Sequence, residues 1–135
     1  MVGEHIKTER KDEDLVSAEL RQKIVEVLED KKARGIMAID VDNVTVLADC
    51  FIICNGTSTP HIRALADDVE KAVSECFGLA CRHREGYNSA RWILLDYGDV
   101  VVHVFHEEDR KFYDIERLWS DGIITYDSSR ADYST

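Results

Sequence analysis

The sequence is short of several things, and each shortage closes off a class of protein. No apolar run approaches the roughly 18 residues that a membrane span requires, and the charged opening stretch Met1–Asp14 has no apolar signal-peptide segment. Those two absences predict a protein that stays in the cytoplasm. There are 4 cysteines but no Cys-x-x-Cys pair: Cys50 and Cys54 lie inside an apolar run, Cys76 near the end of a helical pattern, and Cys81 in a short strand pattern. Thiols so placed read as small buried hydrophobes in a reducing compartment, not as a disulfide frame or a zinc site. Base is scarce beside acid: 17 Lys and Arg stand against 27 Asp and Glu, for a formal net charge of -10. Nucleic-acid affinity comes largely from cations neutralising phosphates, so little direct RNA or DNA binding is expected. A basic protein partner gains from the same charge, in encounter and in specificity. Internal repeats and low-complexity segments are missing as well.

What is there is enough for one globular domain. With 135 residues, 44% of them hydrophobic, the chain can bury a real core. The expected organisation is a flexible N-terminal arm over 1–14, a single domain over 15–122 and a loose tail over 123–135. A first helix is predicted from Ser17 to Arg34, with Ser17 as N-cap, Leu20, Ile24, Val27 and Leu28 as its apolar stripe, and Gly35 as its end. Ile36–Val41 reads as a strand. Asp49–Cys54 is a continuous apolar run after its Asp, as a central strand covered on both faces should be. Asn55–Pro60 leads into a second helix carrying Ile62, Leu65, Ala66, Val69, Val73, Cys76 and Phe77, closed by Gly78. Leu79–Arg84 reads as a short strand, and a last helix is expected over Glu108–Trp119 with Phe112, Ile115, Leu118 and Trp119 on one side. The order of elements indicates an α/β fold, with a crossover between strands of one sheet.

The most informative stretch is Arg91–Phe105. Two strong strand patterns flank Gly98-Asp99, a two-residue turn with Gly first, as a type II′ hairpin prefers. Such a turn fixes register, so Tyr97 faces Val100, Leu95 faces Val102 and Ile93 faces Val104 on one apolar face that should be core. The other face pairs Asp96 with Val101, Leu94 with His103 and Trp92 with Phe105. A large apolar body with a few polar handles fits an interface centre. It fits equally a face covered by a helix, with Asp96 and His103 satisfied locally.

These blocks, taken together, resemble the ribosomal silencing factor S family, also called Iojap or RsfS. The likeness runs from about Leu20 to Gly122. It is carried by Ala48-Asp49-Cys50-Phe51-Ile52-Ile53-Cys54-Asn55-Gly56-Thr57-Ser58, by His61-Ile62-Arg63-Ala64-Leu65-Ala66-Asp67, by Glu85-Gly86, by Trp92 through Phe105, and by Arg110 through Trp119, in order and at the right distances. Asn55 departs from the Thr or Ser that many relatives carry. The resemblance implies a single mixed β-sheet with packing helices and a nucleotidyltransferase-like topology. It also implies a translational repressor that docks on a basic large-subunit ribosomal protein, number fourteen in the bacterial scheme, and blocks joining of the small subunit under nutrient limitation. Organelle relatives imply an alternative role in large-subunit assembly. The family's docking surface includes the tryptophan matching Trp92, which turns the mixed hairpin face towards an interface. The expected partner-binding residues are Trp92, Leu94, Asp96, His103 and Phe105, with Tyr113 extending the surface. A homodimer that hides this face in the free protein is a further expectation.

Enzyme readings are weaker. Asn55-Gly56-Thr57-Ser58 leaves a strand and opens a helix, where backbone N–H groups can hold phosphate, but a turn with an N-cap explains it as well. Nucleotidyl transfer also needs paired carboxylates for metal, and the adjacent Asp67 and Asp68 diverge by about 100° on a helix. Asp99 is expected to serve the hairpin turn. His103 and His106, three apart on a strand, point to opposite faces, so no metal site with His83 is expected. Cys50 and Cys54 should be inert thiols in an apolar setting. Glu107, Glu108 and Asp109 read as a solvated helix start, and Arg110 as a partner of Glu107 or Asp114. No catalytic residue, cofactor or metal is therefore expected.

Overall fold

The computed structural model describes the backbone over residues 2–113 and 121–131, and side chains over 16–110 and 121–129. In chain order the elements are α1 (Val2–Asp30), β1 (Arg34–Asp40), β2 (Cys50–Gly56), α2 (Thr59–Phe77), β3 (His83–Glu85), β4 (Trp92–Asp96), β5 (Val100–His106), α3 (Glu107–Tyr113), β6 (Ile123–Asp127) and α4 (Ser128–Ala131). The described strands make one mixed sheet in the order β3-β4-β5-β2-β1-β6. Only β2 and β5 run parallel; the other pairs are antiparallel. A long crossover through α2, β3 and β4 joins the parallel pair, as parallel strands require.

β2 lies at the centre, its residues buried apart from half-buried Asn55, which is why its sequence is an unbroken apolar run and not an alternation. Leu20, Ile24 and Leu28 of α1 and Ile62, Leu65, Ala66, Val69 and Val73 of α2 pack on one face of the sheet against Ile93, Leu95, Val100, Val102 and Val104. A smaller cluster lies on the opposite face: Ile39, Val41, Ala48, Phe51, Ile53, Val101 and Phe105, with Met37, Trp92 and Leu94 partly buried against it.

Both long helices end as local chemistry dictates, though not where the sequence pattern placed every end. α2 starts on Ser58, whose Oγ accepts from the His61 N–H at 3.2 Å, and stops at Gly78, left-handed at φ 66°. α1 starts at Val2, well before the expected cap Ser17, which sits buried inside the helix. The stretch before Ser17 holds no proline and is dense in Glu, Lys and Arg, so nothing in it interrupts a helix; the expected arm over 1–14 is helical from Val2. α1 stops at Asp30, and Lys32 takes the left-handed closing position (φ 64°), while Gly35, also left-handed at φ 57°, already lies in β1. Lys32 N–H donates to the Glu29 carbonyl (3.1 Å) and Ala33 N–H to that of Leu28 (2.8 Å), a Schellman closure.

Two further expectations are corrected. Ile123–Asp127, expected as loose tail, forms edge strand β6 on β1. Its run Ile-Ile-Thr-Tyr has strand propensity, but it is too short and too exposed to stand out by alternation. The strand expected over Leu79–Arg84 shrinks to the three residues of β3. The last helix is described only over Glu107–Tyr113; Ile115, Leu118 and Trp119, and the side chains of Phe112 and Tyr113, lie outside the described residues.

Candidate docking face

The hairpin has the register that its turn demands. Trp92 pairs with Phe105, Ile93 with Val104, Leu94 with His103, Leu95 with Val102 and Asp96 with Val101. The Tyr97 N–H donates to the Val100 carbonyl at 2.9 Å, closing the two-residue loop. Gly98 has φ 88°, a left-handed value that a Cβ makes costly. It is the Asp96 carboxylate, not that of Asp99, that serves this turn: Asp96 Oδ1 accepts from Gly98 N–H at 2.7 Å. Asp99 contributes its carbonyl, which accepts from the N–H groups of Asp49 and Cys50 at 2.8 and 3.0 Å and so ties the turn to the start of β2.

On the mixed face the aromatic rings pack on one another. Trp92 stacks on Phe105 with centroids 4.8 Å apart, and Phe51 meets His103 edge-on at 5.1 Å. The indole Nε1–H donates to His103 Nδ1 at 3.1 Å, which places the imidazole's own proton on Nε2. Burial drives the His103 pKa down to about 4, so the ring is neutral at ordinary pH. Its Nε2 is buried with no hydrogen-bond partner among the described residues.

This geometry divides the expected contact residues. Phe105 is 0% exposed and His103 4%, so neither offers surface to a partner; the expectation that they touch one is corrected. They lie beneath Trp92, Phe105 holding one face of the indole and His103 its N–H. Trp92, Leu94 and Asp96 alternate along β4 and are half-buried, each with some surface left. Tyr113 ends α3, and its side chain lies outside the described residues.

Three features around β4 and α3 carry no local sequence signal. Gly86 has φ 82° and lies so close to β4 that an added Cβ would stand 2.0 Å from the Trp92 carbonyl oxygen. Arg91, next to Trp92, grips the start of α3: it donates to Asp109 at 3.0 and 2.7 Å and to Glu108 at 3.2 Å. That pairing holds the Asp109 carboxyl below its usual range, so the acidic run is more than a solvated helix start. Arg110 donates to Asn55 Oδ1 at 2.8 Å and to the Gly35 carbonyl; its expected partner Asp114 lies outside the described residues. Asn55, the residue that departs from the family pattern, thus receives a cation from α3.

The other candidates remain apart. At the β2–α2 turn, the Thr57 N–H donates to His61 Nδ1 at 3.2 Å, and Ser58 caps the helix. His61 Nε2 meets the Lys31 carbonyl at 3.0 Å. Those backbone donors are spent within the turn. Among the described residues no group of three or more His, Cys, Asp or Glu side chains is placed to hold a metal ion. Burial pushes the thiols of Cys50 and Cys54 up to about 11 and about 12. Among the described residues no helix is long and apolar enough to cross a membrane.

Known proteins share this sequence over most of its length. Residues 14–134 match the family model RsfS, described as "Ribosomal silencing factor during starvation". The match includes β6, so the shared region extends past Gly122. The chain is 43% identical over 103 residues to the ribosomal silencing factor RsfS of Halalkalibacterium halodurans, covering 76% of this chain and 87% of that one. It is 32% identical over 102 residues to the mouse protein named "Mitochondrial assembly of ribosomal large subunit protein 1", covering 72% of this chain and 43% of that one. A crystal structure of a Chromobacterium violaceum protein superposes with a TM-score of 0.74 at 38% identity, covering 76% of this chain and 85% of that one. The chain belongs to the RsfS family of ribosomal silencing factors.

Proposed function

We propose that the protein acts by residence and not by catalysis: it docks in the cytoplasm on a basic protein of the large ribosomal subunit, number fourteen in the bacterial scheme, and sterically keeps the small subunit from joining. The observation that carries this reading is Trp92, a half-buried indole fixed from beneath by Phe105 and from the side by His103. A rigid aromatic with one surface left outward binds at low entropic cost, and such residues dominate interfaces. Leu94 continues the apolar strip. Asp96 has one carboxylate oxygen committed to Gly98; its other oxygen is the one a basic side chain would meet. The net charge of -10 favours encounter with a basic surface.

Subunit joining tests the reading. Added to equimolar small and large subunits, the protein should shift a sucrose-gradient profile from joined ribosomes to free subunits, and Trp92→Ala should not. An unchanged profile with wild type bound to large subunits would rule out steric blocking. The name of the mouse relative favours a second role, in large-subunit assembly; accumulation of immature large subunits in cells lacking the protein would support it.

A further inference from the structure

The segment between β1 and β2 departs from the rule that the chain otherwise obeys. Val46 is 101% exposed and Leu47 80%, two adjacent aliphatic side chains standing wholly in water. Scattered exposed aliphatics are common on proteins, but this pair is held outward. Val41 and Ala48 at the two ends of the loop are buried in the mixed-face cluster. The Val41 N–H donates to the Asp49 carbonyl at 2.8 Å, and the Val44 and Thr45 N–H groups both donate to the Val41 carbonyl at 2.9 Å. Leu47 N–H donates to Thr45 Oγ1 at 3.1 Å, and the loop's far end is bonded to the Asp99 carbonyl of the hairpin turn. A loop with this much internal bonding loses little entropy when its tip is covered.

The tip shares one end of the sheet with the hairpin turn, since Cys50 pairs with both Asp40 and Val100, and Val101 with Asp96. Asp40, Asp42, Asp49, Asp96 and Asp99 gather there. Among the described residues, the cations at this end are Arg21, which pairs with Asp40, and Arg82, beside Gly98. From Asp96 back to Trp92 is about 13 Å along β4, well within a patch of about 800 Å² per partner.

We propose that Val46 and Leu47 form a second anchor of the docking surface, seating on an apolar spot rimmed by basic side chains on the same large-subunit protein that takes Trp92. The inference rests on the docking reading above and adds a contact to it. Carboxylates around the tip select a basic protein surface and repel rRNA phosphate.

The test is co-sedimentation of the full chain with purified large subunits, for wild type, Val46→Ser/Leu47→Ser and Asp42→Lys. Both variants change exposed side chains, and circular dichroism and sedimentation velocity should match wild type. The double variant should bind about tenfold more weakly or worse, and Asp42→Lys should weaken binding and flatten its salt dependence. Wild-type binding with an unchanged double variant would overturn the second anchor while leaving the docking reading intact. A double variant that loses self-association but not ribosome binding would assign the tip to a second copy and overturn the proposal. Wild type that fails to bind large subunits would overturn both.

Discussion

The two faces of one hairpin make the central comparison. Ile93, Leu95, Tyr97, Val100, Val102 and Val104 alternate with Trp92, Leu94, Asp96, Val101, His103 and Phe105 along the same strands. The first set packs under α1 and α2 as a uniformly apolar core. The second set is graded: Phe105 and His103 are buried, while Trp92, Leu94 and Asp96 keep partial exposure. The first face is specified by hydrophobicity alone. The second is specified by ring-on-ring packing and one indole–imidazole hydrogen bond, so it is firm without being closed. A firm, partly open face suits docking better than either a sealed core or a loose patch.

The sharpest way to break that comparison is to truncate one buried residue from each face. Leu95→Ala should lose about 2–5 kcal/mol and Phe105→Ala about 3–5 kcal/mol, measured by urea denaturation. If Phe105→Ala costs less than about 1 kcal/mol, the mixed face is not core and Phe105 returns to the contact surface.

His103 separates the faces by pH. Its folded pKa, about 4, lies below the ordinary 6.5, so between those values the unfolded chain binds the extra proton. His103 therefore contributes stability that is present above pH 6.5 and lost as pH falls towards 4, up to about 3 kcal/mol. The urea midpoint of wild type should fall more steeply than that of His103→Gln between pH 7 and pH 4.5. Parallel curves would mean the imidazole is not buried.

Smaller effects should come from the parts that position Trp92. Gly86→Ala places a Cβ against the Trp92 carbonyl at a positive φ; a cost of about 1–3 kcal/mol is expected, with weakened ribosome association because the indole shifts. Gly78→Ala, at a similar φ but with nothing near its Cβ, should affect stability alone. Arg91→Ala should give the smallest change, a slight loss in thermal midpoint, since Arg91 and Glu108 are exposed and Asp109 is only half-buried.

Much of this is legible in the sequence, for physical reasons that differ by element. The hairpin register follows from a two-residue Gly-Asp turn, and the apolar face follows from register, so residue order alone is enough to read both. β2 is readable as a central strand because burial on both faces leaves an unbroken apolar run. The fate of Phe105 and His103 is not readable, because strand alternation says which residues share a face and not how far neighbours cover it. Arg91 with Asp109 and Arg110 with Asn55 join residues 18 and 55 positions apart, and no local pattern encodes such pairs. β6 escapes a sequence reading because a short edge strand borrows its order from β1.

The most direct test of the account is the affinity of wild type and Trp92→Ala for purified large subunits, with circular dichroism to show both folded. The account predicts a folded variant bound at least about thirtyfold more weakly, the ~2 kcal/mol of a central anchor. A folded Trp92→Ala that binds as wild type does would remove the hairpin face from the interface and contradict the account.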